Sequence, residues 1–198
     1  MREVIPGVFH WTTLHEPIGV QVSSYYVQPA GIVIDPKVPE GGFDELPGAP
    51  QQVVLTSGHH DRGAQAFADE FAIPIVASRE AAERLGDRLS VQTFSDGDEV
   101  APGVTAIKIG KLCPDEDALH IAVAEGAIAF ADAVNRYGED LAFFPDSLLG
   151  DDPEGVKTGL RQAFEGLLTR DFDHLLFAHG DPLVGGGRAA LRRFATRT

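Results

Sequence analysis

Residues 53–71, VVLTSGHHDRGAQAFADEF, constrain the chain more than any other stretch. Val53, Val54 and Leu55 form a short, β-branched-rich apolar run bounded by turn residues, which predicts a buried strand. Ser57 and Gly58 end that run, and His59, His60 and Asp61 follow. Ala64, Phe67 and Phe71 then recur at three- and four-residue spacing, which predicts an amphipathic helix. A buried strand that feeds a helix belongs to an α/β fold, and the loop at its carboxyl end is where such folds carry their sites. Two imidazoles and a carboxylate on that turn are candidate metal ligands, while the bland reading of the same trio is a solvated helix start.

Before this stretch, residues 4–12 and 20–35 alternate as strands, the second segment turning at Pro29, Ala30 and Gly31, and residues 37–52 form a Pro- and Gly-rich loop with one helical turn. After it, residues 74–77 form a strand and Ser78 caps a helix to Leu85. From Ser90 a second group of strands follows: SVQTF, DEVAP, VTAIKIG, ALHIAVAEG and AIAFAD. Asp152 and Pro153 begin a helix whose apolar stripe is Val156, Leu160, Phe164 and Leu167. HLLFAHGD is a last buried strand, ending at His179, and residues 187–196 form a closing helix. His120 is expected in the sheet, His174 in solvent just before the last strand, and His10 and His15 beside the first hairpin.

A hydrophobic content of 43% in 198 residues is enough for a sizeable core, and with no repeat or linker the chain is expected to form one domain over residues 1–198. Lysine and arginine number 16 against 30 acids, a formal charge of −14 that repels phosphate backbones and anionic membranes. Neither nucleic acid nor a membrane is an expected partner; a small molecule is. Arg188, Arg192, Arg193 and Arg197 read as a solvated helix face. The opening MREVIPGVFHW places a charge and a proline where a secretion signal would be apolar, so a soluble, cytoplasmic protein is expected. Cys113, the single cysteine, has no internal disulfide partner and reads as a small semi-buried residue.

Three apparent strand ends thus carry candidate ligands: the His59–His60–Asp61 turn, Asp132 after AIAFA, and His179 after LLFA. Together with the openings VIPGVFHW, SSYYV and GIVIDP, the segments AIAFADAV and LLFAHGDP resemble, in order and spacing over nearly the whole chain, the metallo-β-lactamase superfamily of glyoxalase II and other metal-dependent hydrolases. The resemblance implies an α/β fold of the four-layer αββα metallo-β-lactamase type.

It also implies a cleft bordered by the first hairpin, where His10 or His15 could line a pocket, and a degenerate centre. The family motif is Thr-His-x-His-x-Asp-His, and Thr56 to Arg62 read TSGHHDR. His59 takes the second histidine position and Asp61 the aspartate, while Ser57 and Arg62 stand at the other two ligand positions. The next family histidine precedes Thr-Pro-Gly, where GKLCPDE offers Lys111 or Leu112. Asp132 matches the bridging aspartate and His179 the final histidine. The implied ligands are therefore His59, Asp61, Asp132 and His179, with His60 able to swing in as an extra one. At most one divalent metal, zinc, manganese or iron, is expected, held by Asp61, Asp132 and His179.

Two functions follow from this resemblance. In the first, one metal activates water for ester or thioester hydrolysis, with Asp61 or Asp132 sharing the proton. In the second, no metal binds, Arg62 and Lys111 neutralise the carboxylates, and the cleft holds a small molecule or protein partner. A fixed cation ~5 Å from a divalent ion opposes it by roughly 6 to 7 kcal/mol at an effective dielectric of about 20, which is why Arg62 separates the two readings. Its guanidinium is expected to bond Asp61 or Asp132.

Overall fold

In the computed structural model, which describes residues 1–197, the short apolar runs become the strands of two main sheets. The first contains β1 (Arg2–Ile5), β2 (Val8–His15), β3 (Val20–Val27), β4 (Ile32–Ile34), β5 (Gln52–Val54), β6 (Ile75–Ser78) and β7 (Gln92–Phe94), neighbours in that order. β1 to β4 pair antiparallel, and β4 to β7 pair parallel. The parallel half needs crossovers, which α1 (Ala64–Phe71) provides between β5 and β6 and α2 (Arg79–Leu85) between β6 and β7.

The second sheet comprises β8 (Glu99–Ala101), β9 (Val104–Lys108), β10 (Asp117–Ile121), β11 (Ala127–Phe130) and β14 (His174–Phe177), in the order β14-β11-β10-β9-β8. Between β11 and β14 the chain makes a small hairpin, β12 (Asn135–Tyr137) with β13 (Asp140–Ala142), and then α3 (Pro153–Leu167); α4 (Gly187–Ala195) follows β14. As expected, Ser78 and Asp152 cap their helices, accepting from the Ala81 and Gly155 N–H groups.

Strands that look uniformly apolar are sorted by their period of two into separate interiors. Ile32 and Ile34 enter the core between the sheets, as do Val54, Leu119, Ile121, Ala129 and Leu176. Val33, Val53 and Leu55 face the other way with Phe67 of α1 and Leu85 of α2. Ile128, Phe130, Leu175 and Phe177 face Leu160 and Phe164 of α3 and Leu191 of α4. The layers are therefore helices, sheet, sheet, helices.

Three expectations need correction. SVQTF belongs to the first sheet, because α2 returns the chain parallel to β6. The β12–β13 hairpin was not foreseen, since NRYGEDLA lacks an apolar alternation. His174 lies inside β14 and is buried, its Nδ1 accepting from the Gly185 N–H at 3.0 Å.

Candidate metal centre

Hydrogen bonds cross between the sheets from within β3 to the end of β14, and from Thr56, just beyond β5, to the start of β10. The Ser23 N–H donates to the Ala178 carbonyl (2.9 Å), and the Asp117 N–H donates to the Thr56 carbonyl (2.9 Å). The Tyr25 hydroxyl donates to the Phe177 carbonyl (2.9 Å) and accepts from the Phe177 N–H (3.0 Å). These bonds hold the chain just beyond β5 and β14, where His60 and His179 stand, against the facing sheet.

Asp132 follows β11, and its Oδ1 lies 3.4 Å from His60 Nε2 and 3.3 Å from His179 Nε2. The three donor atoms are within 4.8 Å of one another. Asp132 Oδ1 is buried and makes no hydrogen bond, so the contacts to the two imidazoles are not aligned as such bonds. Ligands on a tetrahedral zinc at ordinary bond lengths stand roughly 3.3 Å apart, which these separations match. An orphaned buried carboxylate oxygen between two imidazole nitrogens thus fits a divalent cation.

His60 is the residue the sequence ranked as an extra ligand, and the structure brings it into the group. Asp35, just beyond β4, selects it: His60 Nδ1 is 2.8 Å from Asp35 Oδ2, which leaves Nε2 facing Asp132. Asp35 is buried and also accepts from the Thr56 N–H (2.8 Å) and the Thr56 hydroxyl. Without a metal, burial and the Arg62 charge press the His60 pKa down, but Asp35 and Asp132 outweigh them and raise it to about 9. Burial works against ionisation of Asp132, yet His60 and His179 hold its carboxyl well below the usual range. Glu116 Oε1 accepts the Asp132 N–H at 2.9 Å, and burial, then the Asp132 charge, push the Glu116 pKa up to about 8.

Asp61, expected as both ligand and proton acceptor, lies outside this group. Its Oδ2 pairs with Arg88 Nη1 at 2.6 Å, and its Oδ1 accepts the Arg62 N–H, because the turn rotates it toward α2. Arg62 does not bond the site carboxylates through its guanidinium: Nη1 donates to the Ser23 carbonyl (3.0 Å) and the Asp35 carbonyl (3.1 Å). It braces two strand ends from a backbone with φ of 31°. Lys111 is exposed, and its stem runs along Gly159 of α3, away from the carboxylates. The cation between the carboxylates of the metal-free site is therefore His60. Ser57 is not aimed at the group either; its hydroxyl donates to Asp115 Oδ2 at 3.2 Å. His59, adjacent to His60, turns to the opposite side and approaches Cys113 and Asp115.

A cavity of about 720 Å³ opens onto the centre, lined by Asp132, His179, His59 and Cys113 and walled by Ile18, Val20, Leu112, Tyr137, Phe144 and Leu148. Leu112, at a lost ligand position, thus becomes wall. His10 turns inward, Nε2 2.9 Å from the Ser23 hydroxyl and the ring stacked on Tyr25. His120 sits in β10 as expected, with Nε2 2.8 Å from the Asp171 carbonyl.

Among solved structures, the DIM-1 metallo-β-lactamase superposes with a TM-score of 0.73 at 15% identity, covering 98% of this chain and 94% of that one. The chain has the metallo-β-lactamase fold. TMB-1 superposes over 98% of this chain and 95% of its own at a TM-score of 0.71 and 15% identity. A metallo-β-lactamase from Pontibacter korlensis does so over 100% and 98% at 0.69 and 15%. By sequence, no family model and no curated protein matches the chain. In this metallo-β-lactamase fold, Asp132 and His179 follow β11 and β14 at the seam between the sheets, and the nearby donor on the strand-to-helix turn is His60, not Asp61.

Proposed function

We propose that the protein is a hydrolase of the metallo-β-lactamase superfamily that uses one divalent ion, held by His60, Asp132 and His179, to cleave a neutral ester or thioester with an apolar acyl group. The observation that carries this reading is the orphaned Asp132 Oδ1 between two imidazole nitrogens at 3.3 and 3.4 Å. When bound, the ion would polarise the carbonyl and lower the pKa of a water molecule. Two imidazoles and a carboxylate suit zinc, and also iron or manganese.

The chain's own residues supply the rest. Asp35 accepts the Nδ1 proton of His60 and keeps Nε2 free for coordination. Glu116 fixes the Asp132 backbone. Asp132, held ionised, orients and coordinates in preference to accepting a proton. The apolar walls at Ile18, Val20, Leu112, Phe144 and Leu148 match an apolar chain, and no lysine or arginine is among the lining residues to bind an anionic substrate.

Protein purified without chelators is expected to retain at least one zinc, iron or manganese per chain and to hydrolyse p-nitrophenyl esters of medium-length acids, with little turnover of anionic β-lactams or S-lactoylglutathione. His179→Ala and Asp132→Ala should lower kcat/KM by about a hundredfold or more, whereas Asp61→Ala should stay within a few-fold of the parent. Undiminished hydrolysis in His179→Ala sinks this reading. The specific observation for a second reading is the His60 cation between Asp35 and Asp132, which neutralises the site without a metal. Failure to bind zinc, iron or manganese at all would favour that metal-free binding protein.

A further inference from the structure

His59 and His60 are neighbours in sequence, yet they belong to different groups of donor atoms. His60 joins Asp132 and His179, while a donor atom of His59 lies with Cys113 Sγ and a carboxylate oxygen of Asp115, all within 4.8 Å of one another. We propose that His59, Cys113 and Asp115 form a second metal site, separate from His60, Asp132 and His179, that takes a thiophilic divalent cation such as zinc. It adds to the single ion proposed above and does not depend on it.

The second group is built on two loops knitted together. Gly58 lets the first loop lie against α2: a Cβ there would meet the Arg84 side chain at 2.9 Å and the Ala81 carbonyl at 3.0 Å. In the second loop the Glu116 N–H donates to the Cys113 carbonyl (3.1 Å), a tight turn that carries Cys113 and Asp115 together. Asp115 is 2% exposed and ties the loops through one oxygen only. Its Oδ2 accepts from Arg84 Nε (2.9 Å), the Gly58 N–H (2.9 Å) and the Ser57 hydroxyl (3.2 Å). Its Oδ1 is buried with no partner. A native fold rarely leaves a carboxylate oxygen so, and a bound cation is the partner that would satisfy it.

The donor chemistry narrows the cation. Thiolate with imidazole and carboxylate selects zinc, or cobalt as its probe, over magnesium and calcium, which take oxygen ligands. Three protein donors leave a fourth position for water or a ligand, and His59 and Cys113 both line the cavity from which it would come. His59 stands at the family's second histidine position, but Cys113 and Asp115 stand at no ligand position that the resemblance implied; Cys113 follows the Lys111–Leu112 segment where a ligand histidine is missing.

The test is anaerobic titration of the metal-free chain with cobalt(II), read by the thiolate-to-cobalt charge-transfer band in the near ultraviolet. Cys113 is the only cysteine, so the band has one source. At saturation the band should account for one thiolate-bound cobalt per chain, disappear in Cys113→Ser, persist in His179→Ala, and need at least about tenfold more cobalt in His59→Ala. If Cys113→Ser does not fold, methylthiolation of Cys113 in the folded parent must abolish the band instead. Cobalt bound without a charge-transfer band, or a band that survives loss of the thiol, overturns the inference. A band without esterase activity leaves this site standing and removes the proposed function; esterase activity without a band does the reverse.

Discussion

His10 shows how a single side chain can be read by type and still be misplaced by sequence. Beside the first hairpin it was a candidate for the pocket wall, but it is 3% exposed, and its Nε2 meets the Ser23 hydroxyl, which donates in turn to the Gly180 carbonyl at 3.0 Å. Burial first, and Arg2 next, lower its pKa from 6.5 to about 4. As pH falls the unfolded chain takes this proton before the folded one, so the stability contributed by neutral His10 is complete above 6.5 and is lost as pH drops toward 4. Urea midpoints measured on either side of that window should fall less in His10→Gln than in the parent; equal losses would remove His10 from the acid response. Residue type was legible here, but burial was not, because it depends on Tyr25 and Ser23 across the hairpin.

At the scale of elements, the strand ends carrying Asp132 and His179 were legible, because an apolar run that stops at a polar residue marks the edge of a buried strand. The β12–β13 hairpin was not, and it braces one ligand: the Arg136 N–H donates to the His179 carbonyl at 3.2 Å. Gly180 makes the contact possible, with φ of 101° and a missing Cβ that would collide with the Arg136 carbonyl. Gly180→Ala should therefore destabilise the fold by about 2–3 kcal/mol. It should also weaken metal uptake, since His179 must move with its loop. Calorimetry and a zinc titration of the variant check both, and wild-type values in each would show that the hairpin merely rests on the loop. The turn at Asp61 and Arg62 marks the same boundary of legibility: the order of its residues was plain, but the direction of each side chain follows from how the turn packs on α2 and the strand ends.

For the whole molecule, the sandwich holds its centre by joining two sheets that share no strand pairing across the central core. Tyr25 of β3 is the main polar link, bonding both backbone groups of Phe177 in β14 from a fully buried position. Tyr25→Phe keeps the ring but strands a buried N–H and C=O, at a cost of about 1–3 kcal/mol. The expected result is a lower urea midpoint together with faster amide exchange at Phe177; unchanged exchange there would mean that water replaces the hydroxyl. The four layers could be anticipated because strands buried on both faces need an apolar interior on each side. Assignment of β7 to the first sheet could not, since SVQTF carries no mark of which sheet it joins.

The sequence by itself determined the alternation of buried strands and amphipathic helices, the helix caps at Ser78 and Asp152, and the presence of candidate ligands at three strand ends. These are local properties, written in periodicity and turn chemistry. Only the tertiary structure decided which imidazole of the His59–His60 pair serves which group. Neighbouring side chains on a tight turn point apart, and the choice falls to partners distant in sequence: Asp35, which captures His60, and Asp115, which stands beside His59 and Cys113.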